Sequence, residues 1–471
     1  MTTGDRSPDC MFDDASSSGK ERAGPESCPS RPLAYPQAES GCAPVSQMNH
    51  IGAAPLVLES SVQLSTLPLS PIPDKERLPA DQIQRLADLA GLGSRYAPAH
   101  DLDLRVTLGK RNGHVTLGFM LHSPNGTADL SYQSFPEVHL SSYARPEELR
   151  SSLLAALEQL GAGYDEDGNA MAPLQAQDKL AGLGRRLYRE LLPPELRAAY
   201  LEWRDQVHTL QIISDEPWIP WEVLRPYDDS DPQHIVDDDH LCLRYQVTRW
   251  LPGHVTGAGR ILVRRLACLE ASAVPGQAPL PFAAHERRYL SELAAERQIG
   301  DESPARADLR AALELLDRGG VGLYHIATHG RPEGSGKADA ALIMADGALL
   351  RPHDVHGIRQ THIRRERPLI FLNACRAAQQ GWSLTQLGGW APTLVGRCGC
   401  GAFVAPLWAV DDALAYEFAR TFYDALVAGH TIGEAALAAR LRLRQLAPDN
   451  PTCLAYSIYA RPTARVLLAG N

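Results

Sequence analysis

Residues 321–330 read Val-Gly-Leu-Tyr-His-Ile-Ala-Thr-His-Gly, and residues 368–376 read Pro-Leu-Ile-Phe-Leu-Asn-Ala-Cys-Arg. Each is an apolar run too short for a helix, and each delivers a chemically active side chain at its carboxyl end: His329 in the first, Cys375 in the second. Similar apolar runs lie at 262–270, 402–408 and 453–460. Amphipathic patterns of helical period separate them, at 283–297, 305–318, 386–397, 411–428 and 431–446. Short buried strands alternating with amphipathic helices predict an α/β fold, a mostly parallel sheet covered by helices on both faces. Reactive groups in such sheets collect beyond the carboxyl ends of the strands. Adjacent parallel strands ending in His329 and Cys375 would bring imidazole and thiol to the same edge.

That pairing has a chemical use. A free thiol is only a few per cent ionised near neutrality, and an imidazole beside it can take its proton and later protonate a leaving amine. Gly330 lets backbone approach a substrate closely. The N–H groups of Gly330 and Cys375 are candidate oxyanion donors. Two other readings of the same residues stand beside this one. A histidine or cysteine at a strand end also serves as a hydrogen-bonded or packed core residue. His325 and His329 share a strand face, and Cys398 and Cys400 lie further along, but no spacing here matches a structural zinc set. No metal or organic cofactor is expected.

The rest of the chain frames this core. Residues 1–75, rich in Ser, Pro, Gly and Ala, read as disordered or loosely attached, with a short helix over Ala80–Leu92. Residues 76–255 read as an N-terminal scaffold or regulatory half, α/β or α+β, and 256–471 as the catalytic half. Strands are expected over 101–135, with turns at Arg111-Asn112-Gly113 and Pro124-Asn125-Gly126. Pro146 opens one helix, and Leu180, Leu183, Leu187 and Leu191 stripe another that stops at Pro193-Pro194. A strand follows at Thr209–Ile213, then Trp218-Ile219-Pro220-Trp221-Glu222-Val223-Leu224, whose tryptophans are expected to pack one half on the other.

Composition narrows the function classes. The 471 residues carry a net charge of −10, which gives no reason to expect nucleic acid or an anionic membrane as partner. No apolar stretch is long enough to span a bilayer, and the acidic start, MTTGDRSPDCMFDD, lacks the apolar core of a signal peptide. The nine cysteines, odd in number and irregularly spaced, read as reduced thiols of a cytoplasmic protein.

The chain also resembles a known family. His325-Ile-Ala-Thr-His329-Gly330, the run Ala340–Gly347, Leu369–Cys375, Leu407-Trp-Ala-Val-Asp411-Asp412 and Phe422–Gly429 occur in the order found in the CHAT family of caspase-like proteases, in the clan of caspases, gingipains and separase. The segment Ile219–Leu224 resembles one that precedes many CHAT cores. The resemblance implies a caspase-like fold, a cysteine endopeptidase with His329 and Cys375 as its dyad, and the Gly330 and Cys375 backbone as oxyanion hole. It implies that Asp412, with Asp411 beside it, binds a basic side chain ahead of the scissile bond, as an acid does in separase-like relatives. The alternative for both is an ordinary helix start, where acids suit the macrodipole. The resemblance further implies a bacterial protein that cleaves a protein partner, a gasdermin-like pore former among the candidates, in antiviral defence or programmed death, with an activating protein as a second partner. A non-catalytic interaction or regulatory module on the same fold is the rival reading.

Overall fold

A computed structural model describes residues 99–128, 132–140, 146–164, 169–214, 219–254, 257–331, 341–374 and 387–468. The expectations for residues 1–75 and for Ala80–Leu92 lie outside these. The first strands are β1 (Leu102–Arg111), β2 (His114–His122) and β3 (Gln133–Leu140). After three helices come β4 (Thr209–Ser214), a small hairpin of β5 (Tyr227–Asp228) and β6 (Val236–Asp237), and β7 (Gln246–Trp250). The second half contributes β8 (Arg260–Val263), β9 (Arg265–Glu270), β10 (Gly300–Asp301), β11 (Leu323–Arg331), β12 (Ala341–Ile343), β13 (Leu349–Leu350), β14 (Leu369–Ala374), β15 (Ala402–Pro406), β16 (Tyr456–Tyr459) and β17 (Arg465–Leu468).

Among the described residues the main sheet runs β10-β9-β11-β14-β15-β16-β7-β4-β1-β2-β3. Neighbours from β10 to β15 are parallel, and so are those from β16 to β1. The two parallel blocks meet at the antiparallel pair β15–β16. The mostly parallel α/β sheet read from the sequence is therefore the observed architecture.

Helices cover both faces, as the strand alternation shows. On β11, His325 faces the helices Pro281–Glu296 and Asp412–Val427, because its ring bonds Glu286 and Tyr423. The preceding Tyr324 is also buried but points the other way, into the field of Arg318 and Glu366 on the helices Leu309–Arg318 and Ile358–Glu366. Strands sandwiched like this must be apolar on both sides. β14 meets that demand, since every one of its residues is buried.

Local chemistry sets the boundaries. The Asn112-Gly113 turn joining β1 to β2 has both residues at positive φ, 52° and 84°, the geometry a two-residue hairpin requires. Asp308 caps the helix Leu309–Arg318, accepting from the Ala311 N–H at 2.8 Å, so that helix starts later than its apolar pattern suggested. The apolar run 262–270 is two strands rather than one. It breaks between Val263 and Arg265; β8 leaves to pair with β17, while β9 enters the main sheet beside β11. Gly322 makes this crossing feasible: a Cβ there would lie 2.4 Å from the Leu262 carbonyl oxygen. The run 453–460 likewise opens as a helical turn, Thr452–Ala455, before β16. In the helix expected over 386–397, Pro392 marks a change from α-helix (Leu387–Ala391) to a wider π turn (Pro392–Arg397).

Buried polar groups bind the blocks together. The Arg249 guanidinium on β7 forms a bidentate pair with Glu222, its Nε 2.8 Å from Oε1, and also donates to the Ile219 carbonyl at 2.6 Å. The Ser457 hydroxyl of β16 donates to the same carboxylate at 3.1 Å. Arg440, fully buried, donates to the carbonyls of Val247 and Tyr456. Trp221 is wholly buried and meets Phe119 edge to face at 6.3 Å; Trp218 lies outside the described residues.

Candidate active site

β11 and β14 are parallel neighbours in register from Leu323 opposite Leu369 to Thr328 opposite Ala374. His329 is the next residue of β11, and Cys375 is the next residue of the chain after Ala374. Cys375 itself lies outside the described residues, as do 332–340 and 376–386. His329 and Gly330 extend β11 past its partner strand, where they pair antiparallel with Ile343 and Leu342 of β12.

The His329 ring is 2% exposed. Its Nε2 lies 2.7 Å from the carbonyl oxygen of Ala278, in the segment before the helix Pro281–Glu296. A carbonyl can only accept, so Nε2 carries the hydrogen. In the neutral imidazole this leaves the lone pair on Nδ1. That nitrogen is buried and has no hydrogen-bond partner among the described residues.

The two acids after Trp408 take different places. Asp411 is the N-cap of the helix Asp412–Val427, accepting from the Leu414 N–H at 3.0 Å. The half-buried Asp412 accepts from the Phe282 N–H at 2.9 Å, across to the first turn of the helix Pro281–Glu296. Burial pushes the Asp412 carboxyl above the usual carboxylate range, and Asp411 adds to that. The Phe282 N–H and the nearby rings of His329 and His285 pull the other way. The structure thus brings Asp412 into the field of His329, while Asp411 is committed to its cap. Around Asp412, Phe282, His285 and Tyr416 form a ring cluster with centroids 5.2–6.1 Å apart.

His325, the other histidine of the strand, is spent internally. Its Nε2 meets Glu286 and its Nδ1 meets the Tyr423 hydroxyl at 2.9 Å. Neither nitrogen is open to a metal, and Cys398 and Cys400 are buried. Among the described residues no group of three His, Cys, Asp or Glu is arranged to hold a metal ion. Sequence reasoning did not find the Ala278 carbonyl, because a backbone acceptor leaves no trace in residue type. It also passed over Glu286, though an acid on the apolar face of an amphipathic helix was a visible signal.

A family model for the CHAT domain matches residues 181–463, more than half of the chain. The chain belongs to the CHAT domain family. The matched region begins inside the helix Pro173–Leu191 and includes β4 to β16, so it spans the junction of the two parallel blocks and leaves out β1, β2 and β3. Among solved structures, the complex of the pro- and mature domains of RgpB from Porphyromonas gingivalis is similar at 12% identity and TM-score 0.37, covering 68% of this chain and 77% of that one. A Saccharomyces cerevisiae separase–securin complex is similar at 11% identity and TM-score 0.37, covering 78% of this chain. The CHAT chain spans 30% of that separase structure's chain. No curated protein matches the sequence.

Proposed function

We propose that this CHAT protein is a cysteine endopeptidase in which Cys375 is the nucleophile and His329 the acid–base. The observation that carries the reading is the His329 ring, buried at the carboxyl end of β11 with Nε2 fixed on the Ala278 carbonyl and Nδ1 without a partner among the described residues. In the proposed reaction the Cys375 thiol gives its proton to Nδ1 and the sulfur attacks the scissile carbonyl. The carbonyl electrons move to oxygen, where the N–H groups of Gly330 and Cys375 stabilise the oxyanion. Collapse breaks the C–N bond, and the Nδ1 proton goes to the leaving amine. Water then adds to the thioester as it gives a proton to Nδ1; collapse breaks the C–S bond, the acid leaves, and the sulfur takes the proton back from Nδ1. The bond to Ala278 holds the imidazole in the tautomer that can begin this cycle.

For the substrate we propose a protein cleaved after a basic residue, whose cation Asp412 pairs, with Phe282 and Tyr416 as aromatic neighbours. A gasdermin-like pore former, a role in defence, an activating partner and a cytoplasmic setting belong to the same proposal on family grounds alone. No helix among the described residues is long and apolar enough to cross a membrane.

The test is to purify the full chain and incubate it with proteins encoded beside it. New fragments that vanish with Cys375→Ala and with His329→Ala support the peptidase. Identical fragments with Cys375→Ala reject it. Partner binding that survives Cys375→Ala with no cleavage by the wild type favours the interaction module.

A further inference from the structure

Beneath the proposed dyad lies a polar chain that the chemistry above does not use. Glu286, His325, Asn373, Tyr423 and Tyr456 are all buried. They come from the helix Pro281–Glu296, β11, β14, the helix Asp412–Val427 and β16. Glu286 uses both carboxylate oxygens: Oε2 meets His325 Nε2, and Oε1 accepts from Asn373 Nδ2 at 2.7 Å. The second hydrogen of the Asn373 amide points to the Ala415 carbonyl at 3.3 Å, and its Oδ1 accepts from the Tyr456 hydroxyl at 2.8 Å. Tyr423 closes the other end on His325 Nδ1 at 2.9 Å.

The donors and acceptors fit in one direction throughout. Tyr423 O–H donates to Nδ1 of His325, Nε2–H donates to Glu286, Asn373 N–H donates to Glu286, and Tyr456 O–H donates to Asn373. Such a network among buried side chains rigidifies the elements it joins. Its position gives the rigidity a use. His325 is four residues before His329 on β11, so both side chains lie on one face. Asn373 is two residues before Cys375 on the neighbouring strand. Glu286 therefore bridges the two strands just below the points where the dyad residues leave them. The same helix follows the Ala278 segment that holds the His329 ring.

We propose that Glu286 and His325 are positioning residues, a hydrogen-bonded brace that fixes the ends of β11 and β14 relative to each other and so sets the approach of His329 to Cys375. This rests on the dyad reading. The brace works through hydrogen bonds and not through net charge, which separates it from an electrostatic role. A glutamine at 286 could keep both contacts, because His325 can shift its hydrogen to Nδ1, donate to the Tyr423 oxygen and accept from the amide. A leucine of similar size could keep neither.

The test is the rate at which iodoacetamide alkylates Cys375, followed by peptide mass spectrometry on the full chain between pH 6 and 9.5. In the wild type the reactivity should turn on well below the midpoint of about 8.5 of a free thiol. In His329→Ala it should move to that value. Glu286→Leu should shift the midpoint the same way and lower the rate at pH 7 by about 10- to 100-fold, the scale expected for a dyad displaced by up to an ångström. Glu286→Gln should stay within about threefold of wild type, on that same scale. A folded Glu286→Leu protein with the wild-type profile, or a glutamine variant as impaired as the leucine one, overturns the brace while leaving the dyad standing. A His329→Ala profile identical to wild type overturns both. If Glu286→Leu does not fold, Tyr456→Phe removes one hydroxyl from the far end of the chain. It should move the profile in the same direction by a smaller amount, and no movement overturns the brace.

Discussion

Arg249→Met is the most demanding test of how the two parallel blocks are joined. The Arg249 and Glu222 side chains are 2% and 0% exposed. Removing the guanidinium leaves a carboxylate sealed from water. Its remaining donor among the described residues is the Ser457 hydroxyl at 3.1 Å. Breaking a buried pair in this way costs about 3–5 kcal/mol, because the abandoned charge keeps its desolvation penalty. The Ile219 carbonyl also loses one donor and keeps the Trp221 N–H at 2.9 Å. Urea unfolding of the full chain should therefore show a midpoint well below wild type with a similar slope. Adding Glu222→Leu should recover most of the lost stability, because the abandoned carboxylate goes with it. A single variant as stable as wild type, or a double variant no more stable than the single one, would refute the reasoning.

Three further outcomes follow from the geometry. Gly322→Ala places a methyl 2.4 Å from the Leu262 carbonyl oxygen and 2.8 Å from the Val263 Cα, both backbone atoms, and should cost about 1–3 kcal/mol in the same urea assay. Burial pushes the thiols of Cys242, Cys268, Cys400 and Cys453 far up and that of Cys398 to about 11, so these five should resist a thiol reagent in the native chain and react at once in denaturant. Asp412→Asn should lower kcat/KM for cleavage after arginine by at least tenfold, about the worth of one charge-assisted pair, and spare cleavage after an uncharged residue. Because burial raises the Asp412 pKa, the wild-type preference for arginine should fade as the pH drops through that raised value, and a preference constant down to pH 4 counts against the assignment.

Much of this molecule could be read before its structure was seen. The strands that lead to His329 and to Ala374 are legible because buried parallel strands are continuous apolar runs, and a chemically active side chain following such a run stands out. The Asn112-Gly113 hairpin was legible because few residues accept positive φ twice in succession. The split of 262–270 was not, since period and hydropathy say nothing about two strands crossing at Gly322, far along the chain. The joining of both halves in one sheet was hidden for a related reason. It depends on β16, a four-residue strand near the chain end that pairs with β15 and β7, and pairing partners are not encoded in local pattern. The polar interior was the least visible part. Glu222 and Arg249 look like surface residues by type, and only the tertiary structure shows that each is buried against the other; Glu286 is signalled only by its place on the apolar face of its helix.

The central claim is that His329 activates Cys375, and a thiol-directed electrophilic probe applied at pH 6 measures it most directly. At that pH an unassisted thiol of pKa about 8.5 is roughly 0.3% ionised. Wild-type protein should take up one probe at Cys375 within minutes, and His329→Ala should remain unlabelled there over the same time while keeping its fold. Equal labelling of Cys375 in the two proteins would contradict it.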